Sequence, residues 1–246
     1  MNTLETTMNT TSAFPAETQA KAPAARRVLV WDAPVRVFHW LAVLCFAGAW
    51  LTAESERWRM LHVTLGYTLA GLVAFRLVWG LVGTRHARFA NFVRGPQAVF
   101  THLRDMVQGR SDHHAGHNPA GALAIVALLG AALAVTFSGW ALFDGPGGDW
   151  LENVHEGAAN AMLALVGLHL AGVAMASWLG REKLVAAMFS GRKDVAPAEG
   201  IRSAWRSVAA LMVIAVAGFW VWQWQHAPAP LDTAAATTAA AYGDDD

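Results

Sequence analysis

The sequence predicts an all-α integral membrane protein, in which a bundle of four transmembrane helices is followed by a fifth transmembrane helix. Of its 246 residues, 55% are hydrophobic and only 15% are charged, and the mean hydropathy is +0.32. A soluble domain usually carries about 25% charged residues. Five apolar segments also reach the length of about 20 residues that a helix needs to cross a bilayer.

The five predicted spans cover residues 30–53, 62–82, 119–143, 155–179 and 204–225. A short polar turn separates the first two spans, a longer polar segment separates the second from the third, and a turn rich in glycine and aspartate precedes the fourth. These turn compositions mark helix ends. The chain is therefore expected to cross the membrane five times in alternating directions.

Two shorter stretches, 96–108 and 181–193, have apolar residues at helical spacing on one face only. Such a pattern is typical of amphipathic helices that lie in the membrane interface. The apolar residues are Val99, Phe100, Leu103, Met106 and Val107 in the first stretch, and Leu184, Val185, Met188 and Phe189 in the second.

The composition divides the chain into four parts. Residues 1–27 are rich in Thr, Ala and Pro, and we expect a disordered cytoplasmic tail, with the first span acting as an uncleaved signal. Residues 28–195 form the expected four-helix core and 196–226 the fifth transmembrane helix. Residues 227–246 form an expected flexible, acidic periplasmic tail that ends in three aspartates.

The basic residues predict the orientation. Of the 18 Lys and Arg, only Arg57 and Arg59 lie on one side, Arg76 lies within a span, and all others lie on the side of the N-terminus. Because cytoplasmic loops are enriched in Lys and Arg, that side is expected to be cytoplasmic. The net charge is zero, so the composition gives no reason to expect a nucleic-acid partner.

Four histidines match in pairs by depth. His155 and His169 lie fourteen residues apart on the fourth span, which is nearly four full turns and about 21 Å of rise on one face. His39 begins the first span at the cytoplasmic side, level with His169, and His62 begins the second span at the far side, level with His155. Two imidazoles that face each other across a bundle suit the axial positions of a haem iron.

These histidines could instead be hydrogen-bonded core residues or a proton relay, although polar residues at such depth are costly and mostly functional. Zinc is less well supported, because no further carboxylate or thiolate ligand lies at these depths. The single cysteine, Cys45, excludes a C-x-x-C-H site for covalent haem. A second histidine group, at positions 113, 114 and 117, is more consistent with a flexible polar turn than with a metal site.

Two arginines are candidates for binding the anionic propionates of a haem. Arg76 lies fourteen residues after His62, hence on the same face at the cytoplasmic level, and Arg36 lies one turn before His39. A buried cation needs an anion, which a propionate would supply. Alternatively, Arg76 extends to the lipid headgroups.

The sequence resembles the prokaryotic cytochrome b561 family, which is allied to the b-type cytochrome subunits of nickel–iron hydrogenases. The resemblance covers about residues 28–195 and rests on the runs VWDAPVRVFHW, HVTLGYTLAGLVAFRLVWGLVG, HNPAGALAIVALL and VHEGAANAMLALVGLHLAGV, followed by GRK. It implies a four-helix core, two non-covalent haem b groups, and electron exchange with a quinone or a redox partner.

We therefore expect a dihaem membrane cytochrome that passes electrons across the bilayer between the quinone pool and a redox partner. The candidate partners are a soluble periplasmic c-type cytochrome and a hydrogenase-like enzyme. Two alternatives remain open: a quinone-reducing superoxide oxidase, which would make the protein an enzyme, and a membrane anchor subunit that its haems merely stabilise.

Overall fold

The computed structural model describes residues 26–93, 97, 100, 101, 104, 105, 108, 116, 119–145 and 147–226. Within these residues, five helices are long and apolar enough to cross a membrane. They are α1 (Ala33–Thr52), α2 (Arg59–Val82), α3 (Pro119–Phe143), α4 (Asp149–Leu179) and, after a short helix α5 (Leu184–Ser190), α6 (Arg206–His226). The predicted all-α membrane bundle is thereby confirmed.

Helices that follow each other in the chain pack side by side, α1 on α2, α2 on α3 and α3 on α4. Helix α1 approaches α2 closely at Gly48, where an added Cβ would lie 2.7 Å from Leu65 Cδ1. At one end of the bundle, the hydroxyl of Tyr67 on α2 donates a hydrogen bond to Asp144, just after α3. The shared core contains residues of all five long helices: Cys45, Phe46, Leu65, Leu69, Leu72, Val73, Leu129, Ala132, Met162 and Met212.

The fifth long helix, α6, packs against α1 and also contacts α2. Its Trp220 Nε1 donates a hydrogen bond of 2.9 Å to Thr68 Oγ1 on α2. Thr68 is buried, and a hydrogen bond between helices satisfies a hydroxyl that has no water in the hydrocarbon region. Helix α6 is therefore part of the bundle.

We call the two ends of the bundle the basic end, where α1 begins and α2 ends, and the acidic end, where α1 ends and α2 begins. At the basic end, strands β1 (Arg26–Leu29) and β2 (Arg192–Val195) form an antiparallel pair with Arg26 opposite Val195. The turn before β2 depends on Gly191, whose φ of 76° is left-handed and whose carbonyl accepts from Val30 N at 2.8 Å.

Three features differ from the sequence-based expectations. Helix α4 begins at Asp149, six residues before the predicted span, because Asp149 and Glu152 lie in its first turn, where negative charge is favourable. The predicted surface helix over 181–193 is shorter, Leu184–Ser190, because the residues after Gly191 pair with β1. Strand β1 also starts inside the segment for which the sequence predicts a tail.

Several predictions fall on residues that the structure does not describe. The surface helix predicted over 96–108 lies largely outside the described residues. Residues 1–25, the histidines at 113, 114 and 117, and the acidic tail at 227–246 lie outside them entirely.

Candidate functional site

At the acidic end, the structure brings together His62 of α2 and His155 of α4. Their ring centres are 6.1 Å apart, with an angle of 75° between the ring planes. A histidine nitrogen binds a metal at about 2 Å and lies about 1 Å from its ring centre, so two opposed ligands of one metal have ring centres about 6 Å apart. The observed separation matches this expected value.

Hydrogen bonds to backbone carbonyls orient both rings. His62 Nδ1 lies 2.8 Å from Ala49 O, and His155 Nδ1 lies 3.1 Å from Val135 O. Because a neutral imidazole whose Nδ1 donates its proton keeps Nε2 as a lone-pair donor, both rings are prepared to bind a metal through Nε2. Carbonyl partners of this kind fix the tautomer and ring angle of metal-binding histidines.

Small residues make room around this pair. A Cβ added at Gly139 of α3 would lie 2.9 Å from His155 Cε1, so the ring occupies space that only a glycine leaves. A Cβ at Gly66, one turn after His62, would meet nothing within 4 Å. The face of α2 beside His62 therefore leaves space for a flat macrocycle.

At the basic end, His39 of α1 and His169 of α4 are both half-buried, and His169 acts electrostatically on His39. Trp40 meets the His39 ring edge-on, with ring centres 4.9 Å apart. The two histidines of the second depth-matched pair thus also belong to two different helices. It lies about 21 Å from the first along α4.

Several buried nitrogens at the basic end have no hydrogen-bond partner. Within the described residues, the buried side-chain nitrogens that have no hydrogen-bond partner are His39 Nδ1, Arg36 Nε, Trp40 Nε1 and Arg76 Nη1. Buried polar groups are normally hydrogen-bonded, and each exception needs an explanation. All four belong to the basic end, where an anionic ligand would satisfy the guanidinium and indole donors. Sequence reasoning missed Trp40, although its position one turn after Arg36 was available as a signal.

Arg76 is only 3% exposed, and its guanidinium carbon lies 4.7 Å from the centre of the Phe89 ring. This burial favours the propionate interpretation over the one in which the side chain extends to the lipid headgroups. Arg36 is half-buried, and its Nη1 donates a hydrogen bond to the backbone carbonyl of Phe189, whose ring stacks on Trp40.

Sequence reasoning also missed Asp32, which is 1% exposed. Its Oδ1 accepts from Val35 N at 2.8 Å and so caps α1. Its Oδ2 accepts from Thr84 Oγ1 at 2.6 Å and from Trp79 Nε1 at 3.1 Å. An aspartate two residues before a proline is a signal for a helix start, but only the fold shows that the same carboxylate also binds the end of α2.

The donor set suits haem better than an isolated metal ion. In the part of the chain that the structure describes, no three or more His, Cys, Asp or Glu side chains form a group that could hold a metal ion. A structural zinc site needs four protein ligands, whereas a haem iron, already held by four porphyrin nitrogens, takes one imidazole on each face. At the acidic end, two histidines whose Nδ1 atoms bond to carbonyls fit that group. At the basic end, unpaired guanidinium nitrogens suit its propionates.

The arrangement of paired histidines inside a membrane bundle is that of a b-type cytochrome. In agreement, the family model described as prokaryotic cytochrome b561 matches residues 30–191, and the chain belongs to this family. Membership establishes a multi-pass membrane protein of an electron-transfer family that carries haem b. The resemblance found in the sequence is thereby confirmed.

The chain is also similar to two curated proteins named "Probable Ni/Fe-hydrogenase 1 B-type cytochrome subunit", from Escherichia coli strains K12 and O157:H7. In both cases the identity is 26% over 139 residues, covering 46% of this chain and 59% of the relative. The chain thus spans little more than half the length of these relatives. No solved structure matches it.

Proposed function

We propose that the protein binds two haem b groups, one held by His62 and His155 and the other by His39 and His169. The observation that carries this proposal is the 6.1 Å separation of two imidazole rings whose Nδ1 atoms already bond to carbonyls. The second pair supports it by lying fourteen residues further along α4 at the depth of His39. The two haems, when bound, supply one-electron redox chemistry at both ends of the bundle.

The role proposed for Arg36 and Arg76 is to bind the propionates of the basic-end haem, with Trp40 Nε1 as a third donor. Their buried and unpaired nitrogens support this assignment. A carboxylate between two guanidinium groups receives charge-assisted hydrogen bonds, which are stronger than neutral ones. The chain would thereby orient the macrocycle at the basic end as well as hold its iron.

The function that this arrangement supports best is electron transfer across the membrane between the quinone pool and a redox partner. The asymmetry of basic residues supports a cytoplasmic basic end, hence an N-terminus in the cytoplasm and a C-terminus in the periplasm of a bacterial inner membrane. Four core helices over 28–195, the fifth helix over 196–226 and tails outside them remain the proposed division of the chain.

Two kinds of electron-transfer partner are proposed for the acidic end. The name of the two Escherichia coli relatives favours a hydrogenase-like enzyme. The excess of acidic over basic residues favours a soluble c-type cytochrome with a basic surface. Co-purification from native membranes, followed by reduction of the haems by the captured partner, would distinguish the two.

The alternatives make different kinetic predictions. A superoxide oxidase would reduce quinone in steady state with superoxide as its only donor, whereas an electron carrier would need its partner. If the protein serves only as an anchor, quinone should oxidise its haems much more slowly than electrons flow through the membrane's electron-transfer chain. Stopped-flow measurement of haem oxidation by a short-chain quinone therefore tests the carrier function directly.

The pairing of ligands is tested by four single substitutions to alanine. His62→Ala and His155→Ala should remove the same haem, and His39→Ala and His169→Ala should remove the other, as seen in the residual reduced spectra and in potentiometric titrations. His226→Ala is the matched control, since His226 is exposed at the end of α6. If His62→Ala and His169→Ala left the same residual haem, the depth pairing would be incorrect.

A further inference from the structure

A buried carboxylate, that of Asp32, lies at the basic end of the bundle, where α1 begins and α2 ends. Asp32 immediately precedes α1. His39 lies seven residues after Asp32, which is nearly two full turns and about 10 Å along the same helix face. The carboxylate is 1% exposed and accepts hydrogen bonds from α1, α2 and the loop after α2. These three donors satisfy its hydrogen bonding but leave its negative charge in place.

Two arginines interact electrostatically with Asp32. Asp32 acts electrostatically on Arg36 and on Arg76, the two residues assigned to the propionates, and Arg206 of α6 acts on Arg36. In the described part of the chain, Asp32 forms no close ion pair with a basic side chain. The carboxylate is thus a buried negative charge that acts on two positive ones.

A second contact links this carboxylate to α6. Trp79, which donates to Asp32, meets Trp205 edge-on, with ring centres 5.6 Å apart. The backbone of Ala33 also donates to Ala204 O at 2.8 Å. The segment leading into α6 therefore closes the Asp32 region from outside, which excludes water and leaves the charge weakly screened.

We propose that the buried carboxylate of Asp32 lowers the reduction potential of the basic-end haem by offsetting part of the positive charge of Arg36 and Arg76. This inference rests on the proposed function, because it requires a haem between His39 and His169. Ferric haem carries one more positive charge than ferrous haem, so a buried carboxylate favours the oxidised form. The arginines act in the opposite direction, and the potential reflects the balance.

The test is Asp32→Asn in the full-length protein with its haems bound. Asparagine remains a good N-cap, so the substitution removes the charge and keeps the cap on α1. Asp32→Ser, also a good N-cap, is the second variant in case the amide disturbs the donors from α2. Asp194→Asn is the matched control, because Asp194 is an exposed carboxylate on β2 at the same end.

The measurement is a potentiometric titration of both haems, with the basic-end haem identified by its loss in His39→Ala. Asp32→Asn should shift the ratio of oxidised to reduced basic-end haem at least threefold towards the reduced form. This corresponds to a rise of about 30 mV, since a tenfold change is 59 mV for one electron. The acidic-end haem and the Asp194→Asn control should not shift. Haem content and the thermal unfolding curve, which do not depend on redox activity, should remain close to wild type.

A purely structural role would give a different result. Loss of the basic-end haem in both Asp32 variants, or retention of both haems with unchanged potentials, would overturn the proposal. So would a fall in potential, or an equal rise in both haems. Failure of the proposed function is distinguishable, because the wild-type protein would then already lack two separately titrating haems.

Discussion

Replacing Arg76 with leucine tests whether a buried cation controls one haem selectively. The side chain is 3% exposed and packs over Phe89, so leucine keeps an apolar contact with the ring and removes the charge. Ferric haem is the more positive form, and a nearby guanidinium therefore disfavours it. The reduction potential of the haem held by His39 and His169 should fall in Arg76→Leu.

The size of the fall follows from Coulomb's law. With a guanidinium about 9 Å from the iron, as expected for a propionate contact, and an effective dielectric constant near 20, the charge contributes about 2 kcal/mol. Asp32, which acts on Arg76, and relaxation of the site reduce this value. Since about 1.4 kcal/mol corresponds to 59 mV for one electron, we expect a fall of several tens of millivolts. Arg76 lies fourteen residues from His62, about 21 Å along α2, so the acidic-end haem should barely change.

The assay is a potentiometric titration of wild type, Arg76→Leu and the control Arg85→Leu. Arg85 is an exposed arginine at the same end of the bundle, and solvent should screen its charge. A rise in the basic-end potential, a larger shift of the acidic-end haem, or an equal fall in Arg85→Leu would refute the role given to Arg76.

Three further predictions follow from individual contacts and from surface charge. Gly139→Ala should lower the occupancy of the acidic-end haem, because the new Cβ would lie 2.9 Å from His155 Cε1. The control Gly130→Ala should keep full occupancy, because a Cβ there meets nothing within 4 Å. Equal haem contents in the two variants would contradict this prediction. Trp220→Phe should lower stability by about 0.6 kcal/mol in thermal unfolding, through loss of the hydrogen bond to Thr68, and should leave both potentials unchanged. Docking of a basic c-type cytochrome to the acidic end should weaken between low and high ionic strength, since the Debye length is about 10 Å at 0.1 M; an association rate that does not depend on salt would count against it.

The features that the sequence predicts well are those set by local patterns. Apolar runs of about 20 residues define the spans, and the confirmed helices begin and end within a few residues of them except at the start of α4. The spacing of His155 and His169 on one helix, combined with alternating span directions, suffices to match each with a histidine of another helix. The structure brings His62 within 6.1 Å of His155, ring centre to ring centre, as that matching requires.

The features that the sequence does not predict depend on contacts between distant segments. Asp32 is recognisable in the sequence as a helix cap. Its hydrogen bond from Thr84 joins residues 52 positions apart, and no local pattern predicts it. The pairing of β1 with β2 joins segments more than 160 positions apart, and its residues carry no strand pattern that stands out. The position of α6 also depends on contacts between distant segments, because an apolar helix could pack on any face of the bundle. The hydrogen bond between Trp220 and Thr68, which joins α6 to α2, is seen only in the folded structure.

The most direct test of the two-haem assignment is the haem content of the purified full-length protein. A pyridine haemochrome assay, normalised to protein by amino-acid analysis, should give two haem b per chain, and acid–acetone should extract both, since Cys45 alone cannot form a C-x-x-C-H attachment. A value of one haem per chain, or haem that stays with the protein after extraction, would contradict the assignment of His39, His62, His155 and His169 as two pairs of axial ligands.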